Sequence, residues 1–169
     1  MQDVISSVTV FALDPMAIVD METAKIDPWL WRYDRVIASD STMARRVLDE
    51  MLAQLEAQQW QQRDIFAVHL ATEEALANAI QHGNGCDTQK NVRFVCLLGA
   101  DRIHIEITDE GRGFDPSNLP DPTCDGHLHA PRGRGVMLMR AFMARVAFNA
   151  RGNSVIMEKE RGPRESSRQ

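Results

Sequence analysis

The sequence predicts a two-layer α/β sandwich, a mixed but mostly antiparallel sheet with helices covering one face. Three observations carry this expectation. Apolar residues recur at helical spacing in two successive stretches, apolar and polar residues alternate in two later hairpins, and helical and strand patterns are segregated along the chain.

Residues 1–33 stand apart as an N-terminal extension of unassigned role, acidic at Asp3, Asp14, Asp20 and Glu22 and closed by the aromatic cluster Trp29, Trp31 and Tyr33. The run Ser7-Val8-Thr9-Val10-Phe11 fits a short strand. The aromatics are expected to pack this segment against the main domain. From Asp40 to Gln58, Met43, Val47, Met51 and Leu55 recur every fourth position with Leu48 and Leu52 beside them, the stripe of an amphipathic helix. Ser39, Asp40 and Ser41 are its N-cap candidates. A second helix is predicted from Asp64 through Ile65, Val68, Ala71, Ala75 and Ala79 to His82, with Gly83 as a left-handed C-cap.

Val92, Phe94, Cys96 and Leu98 then alternate with other residues, Gly99-Ala100-Asp101 turns the chain, and Ile103, Ile105 and Ile107 alternate with polar side chains. That is a hairpin with one buried face. Residues 115–133 are rich in proline and turn formers and have no period, so they read as a long loop. Val136 to Phe142 reads as a short helix. Val146 to Phe148 and Val155 to Met157 form a closing hairpin around Arg151-Gly152-Asn153. One domain is expected over 34–160, followed by a frayed polar tail at 161–169.

The 169 residues are 44% hydrophobic and 25% charged, the usage of an ordinary globular domain. Formal net charge is -5, with three lysines and sixteen arginines scattered along the chain, which argues against coating nucleic acid or an anionic membrane. No apolar run reaches the ~18 residues that span a bilayer. The first basic residue is Lys25, so a cleaved leader lacks its positive flank and a cytoplasmic location is expected. Cys86, Cys96 and Cys124 have no C-x-x-C spacing and are expected to be reduced thiols.

Absent motifs remove several chemistries. There is no phosphate-loop G-x-x-x-x-G-K, and Gly133-Arg134-Gly135 lacks a third dinucleotide-type glycine, Leu138 standing there. G-x-S-x-G and H-E-x-x-H are missing too. Cys124, Asp125, His127 and His129 share a loop without zinc-ligand spacing and read as solvated.

Three stretches remain. Glu74 and Asn78 lie four apart and therefore on one helix face, with His82 four further along. Asn78 sits in Ala75-Leu76-Ala77-Asn78-Ala79-Ile80, where it is either a satisfied core amide or a ligand-holding group. Ile107-Thr108-Asp109-Glu110-Gly111-Arg112-Gly113-Phe114 ends a strand on an acid followed by two spaced glycines, either a plain turn or a place where backbone approaches a ligand. Gly133-Arg134-Gly135-Val136-Met137-Leu138-Met139 runs a glycine-rich loop into a helix N-terminus, either a hinge or a phosphate cradle.

In this order the three stretches resemble the nucleotide-binding boxes of the histidine-kinase-like ATPase superfamily, the Bergerat fold. Thr72-Glu73-Glu74-Ala75-Leu76-Ala77-Asn78-Ala79-Ile80-Gln81-His82-Gly83-Asn84 looks like the N box of the anti-sigma-factor serine/threonine kinases, and Gly133 to Arg140 like their second glycine box. The resemblance covers residues 34–160. It implies that Asn78 coordinates Mg²⁺ on the phosphates of ATP, that Glu74 is general base on an acceptor hydroxyl, and that Asp109 hydrogen-bonds the adenine amino group. Gly111 and Gly113 would keep the ligand floor low, 115–133 would be the ATP lid, Gly133 and Gly135 would offer N–H groups to phosphate, and Arg132 would meet the γ-phosphate. Without a phosphate-loop lysine, such a site neutralises phosphate through Mg²⁺ and backbone dipoles.

The implied function is a serine/threonine protein kinase that phosphorylates a small anti-sigma antagonist and sequesters a sigma factor in a partner switch, acting alone or as a homodimer. A two-component histidine kinase fits poorly, because no histidine precedes His69 and Leu70 rather than an acid follows it. A non-catalytic, ATP-responsive binding module remains the alternative, since Glu74 and Asn78 could both serve nucleotide binding alone.

Overall fold

A computed structural model describes residues 28–116 and 134–163. Strand β1 (Trp29–Ala38) leads into helix α1 (Ser41–Ala57), then α2 (Gln62–Ala77), which continues into a π-helical turn at Asn78–Gly83. The hairpin β2 (Asn91–Gly99) and β3 (Arg102–Asp109) follows, then α3 (Arg134–Phe142) and the hairpin β4 (Arg145–Phe148) and β5 (Ser154–Glu160). The five strands lie in the order β1-β2-β3-β5-β4. All four pairings are antiparallel, so the mixed sheet expected from the sequence is antiparallel throughout its described strands.

The layering follows the alternation. Val92, Phe94, Cys96 and Leu98 of β2 and Ile103, Ile105 and Ile107 of β3 are buried on one face, against Val47, Met51 and Leu55 of α1 and Val68, Ala71 and Ala75 of α2. The other face carries exposed Arg93 and partly buried His104, Glu106 and Glu158. Asp40 is the N-cap chosen from the three candidates, its Oδ1 accepting from the backbone N–H of Thr42 at 2.8 Å and of Met43 at 3.1 Å. Burial holds the Cys96 thiol well above its usual range, and Cys86 and Cys96 are both free thiols.

Two expectations are corrected. The boundary drawn after residue 33 falls inside β1, which pairs with β2 from Trp29 to Ala38. Trp31 and Tyr33 stack at 5.3 Å and pack on the core, as the aromatic cluster suggested, but as members of the sheet. Arg32, Asp34 and Arg35 break the apolar signal: Asp34 pairs across the strands with Arg93 at 2.7 Å and Arg35 lies over the Tyr33 ring. Gly83 is not left-handed; that conformation falls on Gly85 (φ 67°) and Cys86 (φ 60°).

The polar tail is anchored at its start. Arg161 donates to the carbonyls of Gln58, Gln59 and Ala100, and the Gly162 N–H donates to Asp64 Oδ2 at 2.9 Å. Buried Asp64 also faces Lys159 Nζ at 3.6 Å, and Lys159 donates to the Phe142 carbonyl at 3.2 Å, tying α2, β5 and the end of α3 together. The Ser7–Phe11 run lies outside the described residues. None of the described helices is long and apolar enough to cross a membrane.

Candidate functional site

The site begins where α2 meets α3. The two helices pack along each other, and Gly135 in the first turn of α3 rests on the side chains of Glu74 and Asn78. A Cβ built on Gly135 would lie 2.9 Å from Glu74 Oε2 and 3.1 Å from Asn78 Nδ2. Glu74 and Asn78 are each half-buried, so Asn78 is not an enclosed core amide. The spacing of four brings both polar heads to the N-terminus of α3, where backbone N–H groups without an intrahelical partner and the helix dipole favour negative charge. His82 does not join them. The helix widens into its π turn at Asn78, with the Asn84 N–H donating to Ala79 five residues back at 2.8 Å, and His82 is exposed.

The same π turn delivers Gly83 to the end of β3. A Cβ on Gly83 would meet the Asp109 carboxylate at 2.3–2.5 Å, and one on Gly111 would come within 2.0 Å of the Gly83 carbonyl oxygen. Both glycines are required by contact rather than by left-handed backbone. Asp109 accepts from the Gly111 N–H at 2.7 Å through Oδ1. Burial raises its pKa above the ordinary carboxylate value, opposed by that hydrogen bond and by the charges of Arg151 and Lys90. The carboxylate is therefore partly desolvated and fixed, the state in which a single hydrogen bond to a ligand discriminates most.

Gly113 has φ 76° and abuts the Arg151 carbonyl, while Gly152 has φ 72° and abuts the Phe114 backbone. These close approaches interlock the loop after β3 with the β4–β5 turn. Arg151 donates to the Gly111 carbonyl at 3.0 Å and Asn153 Nδ2 to the Asp109 carbonyl at 2.7 Å. Sequence reasoning assigned Arg151 and Asn153 to a turn and missed Asn84; only the NG and GN pairs around turns hinted that amides pin these loops. Arg132, Gly133, most of the lid segment and Cys124, Asp125, His127 and His129 lie outside the described residues. Among the described residues no cluster of three potential metal ligands forms.

The class follows from fold and motif order together: an antiparallel sheet backed by helices, with an acid-and-amide helix, an acidic strand end and a glycine-led helix converging at one end. The histidine kinase-like ATPase domain family matches residues 37–159, and the chain belongs to that family. Its relatives include the anti-sigma F factor of Clostridium perfringens, 30% identical over 124 residues, covering 69% of this chain and 85% of the relative. The serine/threonine-protein kinase BtrW of Bordetella bronchiseptica is 27% identical over 94 residues, covering 54% of this chain and 66% of that protein. Among solved structures, the RsbU and RsbW domains of Rv1364c from Mycobacterium tuberculosis superpose with a TM-score of 0.55 at 14% identity, over 79% of this chain and 33% of that one, a likeness of fold.

Proposed function

We propose that this protein is an ATP-dependent serine/threonine kinase of the anti-sigma type, acting in the cytoplasm on a small antagonist that carries the acceptor hydroxyl and holding a sigma factor when the antagonist is spent. The observation that supports it best is the meeting of Glu74 and Asn78 with Gly135. The residues fit Mg-ATP: Asn78 offers a hard oxygen donor beside a helix N-terminus with the Glu74 carboxylate next to it, and the bare backbones at Gly135, Gly83 and Gly111 let α3, the π turn and the end of β3 close in on Glu74, Asn78 and Asp109. Bound Mg²⁺ would supply charge neutralisation on the phosphates.

In this reading Asn78 would hold the metal through its amide oxygen, and the first N–H groups of α3 would orient the phosphates. Glu74 takes the proton of the acceptor hydroxyl at its carboxylate. Asp109 accepts from the adenine amino group, and the closely packed Gly83 and Gly111 backbones leave that edge accessible. The test is transfer of labelled γ-phosphate to the antagonist-type protein encoded nearest this gene, beside its acceptor Ser→Ala form. Transfer to the first alone is expected. ATP-dependent binding without any transfer would instead favour the non-catalytic module.

A further inference from the structure

Asn84, Asn91 and Glu110, none of them assigned a ligand contact above, close a ring of hydrogen bonds beside Asp109. Asn84 Oδ1 accepts from the Glu110 N–H at 2.9 Å, and Asn84 Nδ2 donates to the Asn91 carbonyl at 2.9 Å. Glu110 returns the connection, Oε2 accepting from the Asn91 N–H at 3.0 Å and Oε1 lying 3.4 Å from Asn91 Nδ2. Asn84 is 2% exposed, and its own N–H closes the π turn on Ala79. The ring therefore joins the end of the N-box helix, the start of β2 and the end of β3. Its Asn84–Glu110 bond sits between the two backbone segments, Gly83 and Asp109–Gly111, that approach each other to the limit a glycine allows.

We infer that Asn84 is a positioning residue for base recognition: by holding the Glu110 backbone it fixes the Asp109 carboxylate over Gly83, and so sets how well adenine is told from guanine. The inference rests on Asp109 reading the base. A neighbouring carboxylate that could swing would still accept a hydrogen bond from water or from a rotated ligand. Discrimination requires that it cannot retreat from the guanine carbonyl oxygen, which an acceptor repels. Phosphate binding at Gly135, at the other end of the π turn, does not depend on the ring.

The test is calorimetry of Mg-ATP and Mg-GTP on the full chain and on Asn84→Ala and Asn84→Asp. Asn84→Ala should lower the ATP-to-GTP affinity ratio by roughly tenfold or more, the worth of one to two buried hydrogen bonds. Asn84→Asp keeps the acceptor for the Glu110 N–H and should keep most of the ratio. A purely structural role would lower the melting temperature and weaken both nucleotides equally, which overturns the inference, as does an unchanged ratio in folded Asn84→Ala. If Asn84→Ala does not fold, hydrogen exchange of the wild-type Glu110 amide decides: protection supports the ring and exchange at the unprotected rate refutes it. A wild type that binds ATP and GTP equally removes the Asp109 assignment itself and the inference with it.

Discussion

Gly135 presses on Glu74: a single added Cβ at the start of α3 would stand 2.9 Å from the carboxylate Oε2. The contact partners differ in kind from those of Gly111, whose Cβ would strike the Gly83 backbone carbonyl at 2.0 Å. Side-chain ends can move aside, and backbone locked into a π turn cannot. The two glycines should therefore fail in different ways when replaced.

Gly135→Ala should leave stability within about 0.5–1 kcal/mol of wild type, since alanine favours the helix and the carboxylate can rotate away. Nucleotide affinity should fall roughly tenfold or more. Gly111→Ala should cost about 2 kcal/mol or more through overpacking. Paired thermal melts and nucleotide titrations of the two variants check both; a large loss of melting temperature in Gly135→Ala would contradict the contact.

Glu74→Ala should retain ATP binding and lose roughly 10² to 10⁴ in phosphoryl-transfer rate, the usual worth of a positioned base. Asn78→Ala should lose affinity and transfer together, with partial recovery at high Mg²⁺. Single-turnover transfer beside nucleotide titration separates the two. Equal losses of ATP affinity in both variants would argue that Glu74 binds rather than catalyses.

Asp109 carries a pH signature. Its folded-state pKa is raised, mainly by burial, so the folded chain holds the proton more tightly than the unfolded chain does. The sign follows: wild-type stability falls as pH rises from the ordinary carboxylate value through the raised one, and the loss is complete above it. Asp109→Asn removes the charge, so its stability relative to wild type should grow across that window and stay constant at higher pH. The amide also offers a donor to the guanine carbonyl oxygen, and the ATP preference should relax about tenfold. Denaturant melts over a pH series, with ATP and GTP titrations, check both halves.

Arg161→Ala should destabilise the fold by about 1.5–3 kcal/mol, because its guanidinium satisfies carbonyls at the α1–α2 junction and in the β2–β3 turn. Nucleotide affinity should not change, since those carbonyls lie outside the proposed site. A melting temperature equal to wild type would show that the clasp does not hold in solution.

What the sequence determined by itself was whatever is written in local period or in fixed spacing. The Met43–Val47–Met51–Leu55 stripe required α1, the Ile103–Ile105–Ile107 alternation required a strand with one buried face, and the four-residue step from Glu74 to Asn78 put both on one side of a helix. Tertiary structure decided the rest, because it depends on contacts between segments far apart in the chain. β1 is a strand through its pairing with β2 sixty residues on, which outweighs the charges of Arg32, Asp34 and Arg35. Gly83 is a glycine because Asp109 packs on it, not because its backbone turns left-handed. The π turn takes His82 off the Glu74 and Asn78 face, and Arg161 is held by carbonyls about a hundred and about sixty residues earlier. Local patterns carry the energy of a helix or a strand; which glycine must be bare and which amide must be buried is set by the close packing of elements that only the folded chain brings together.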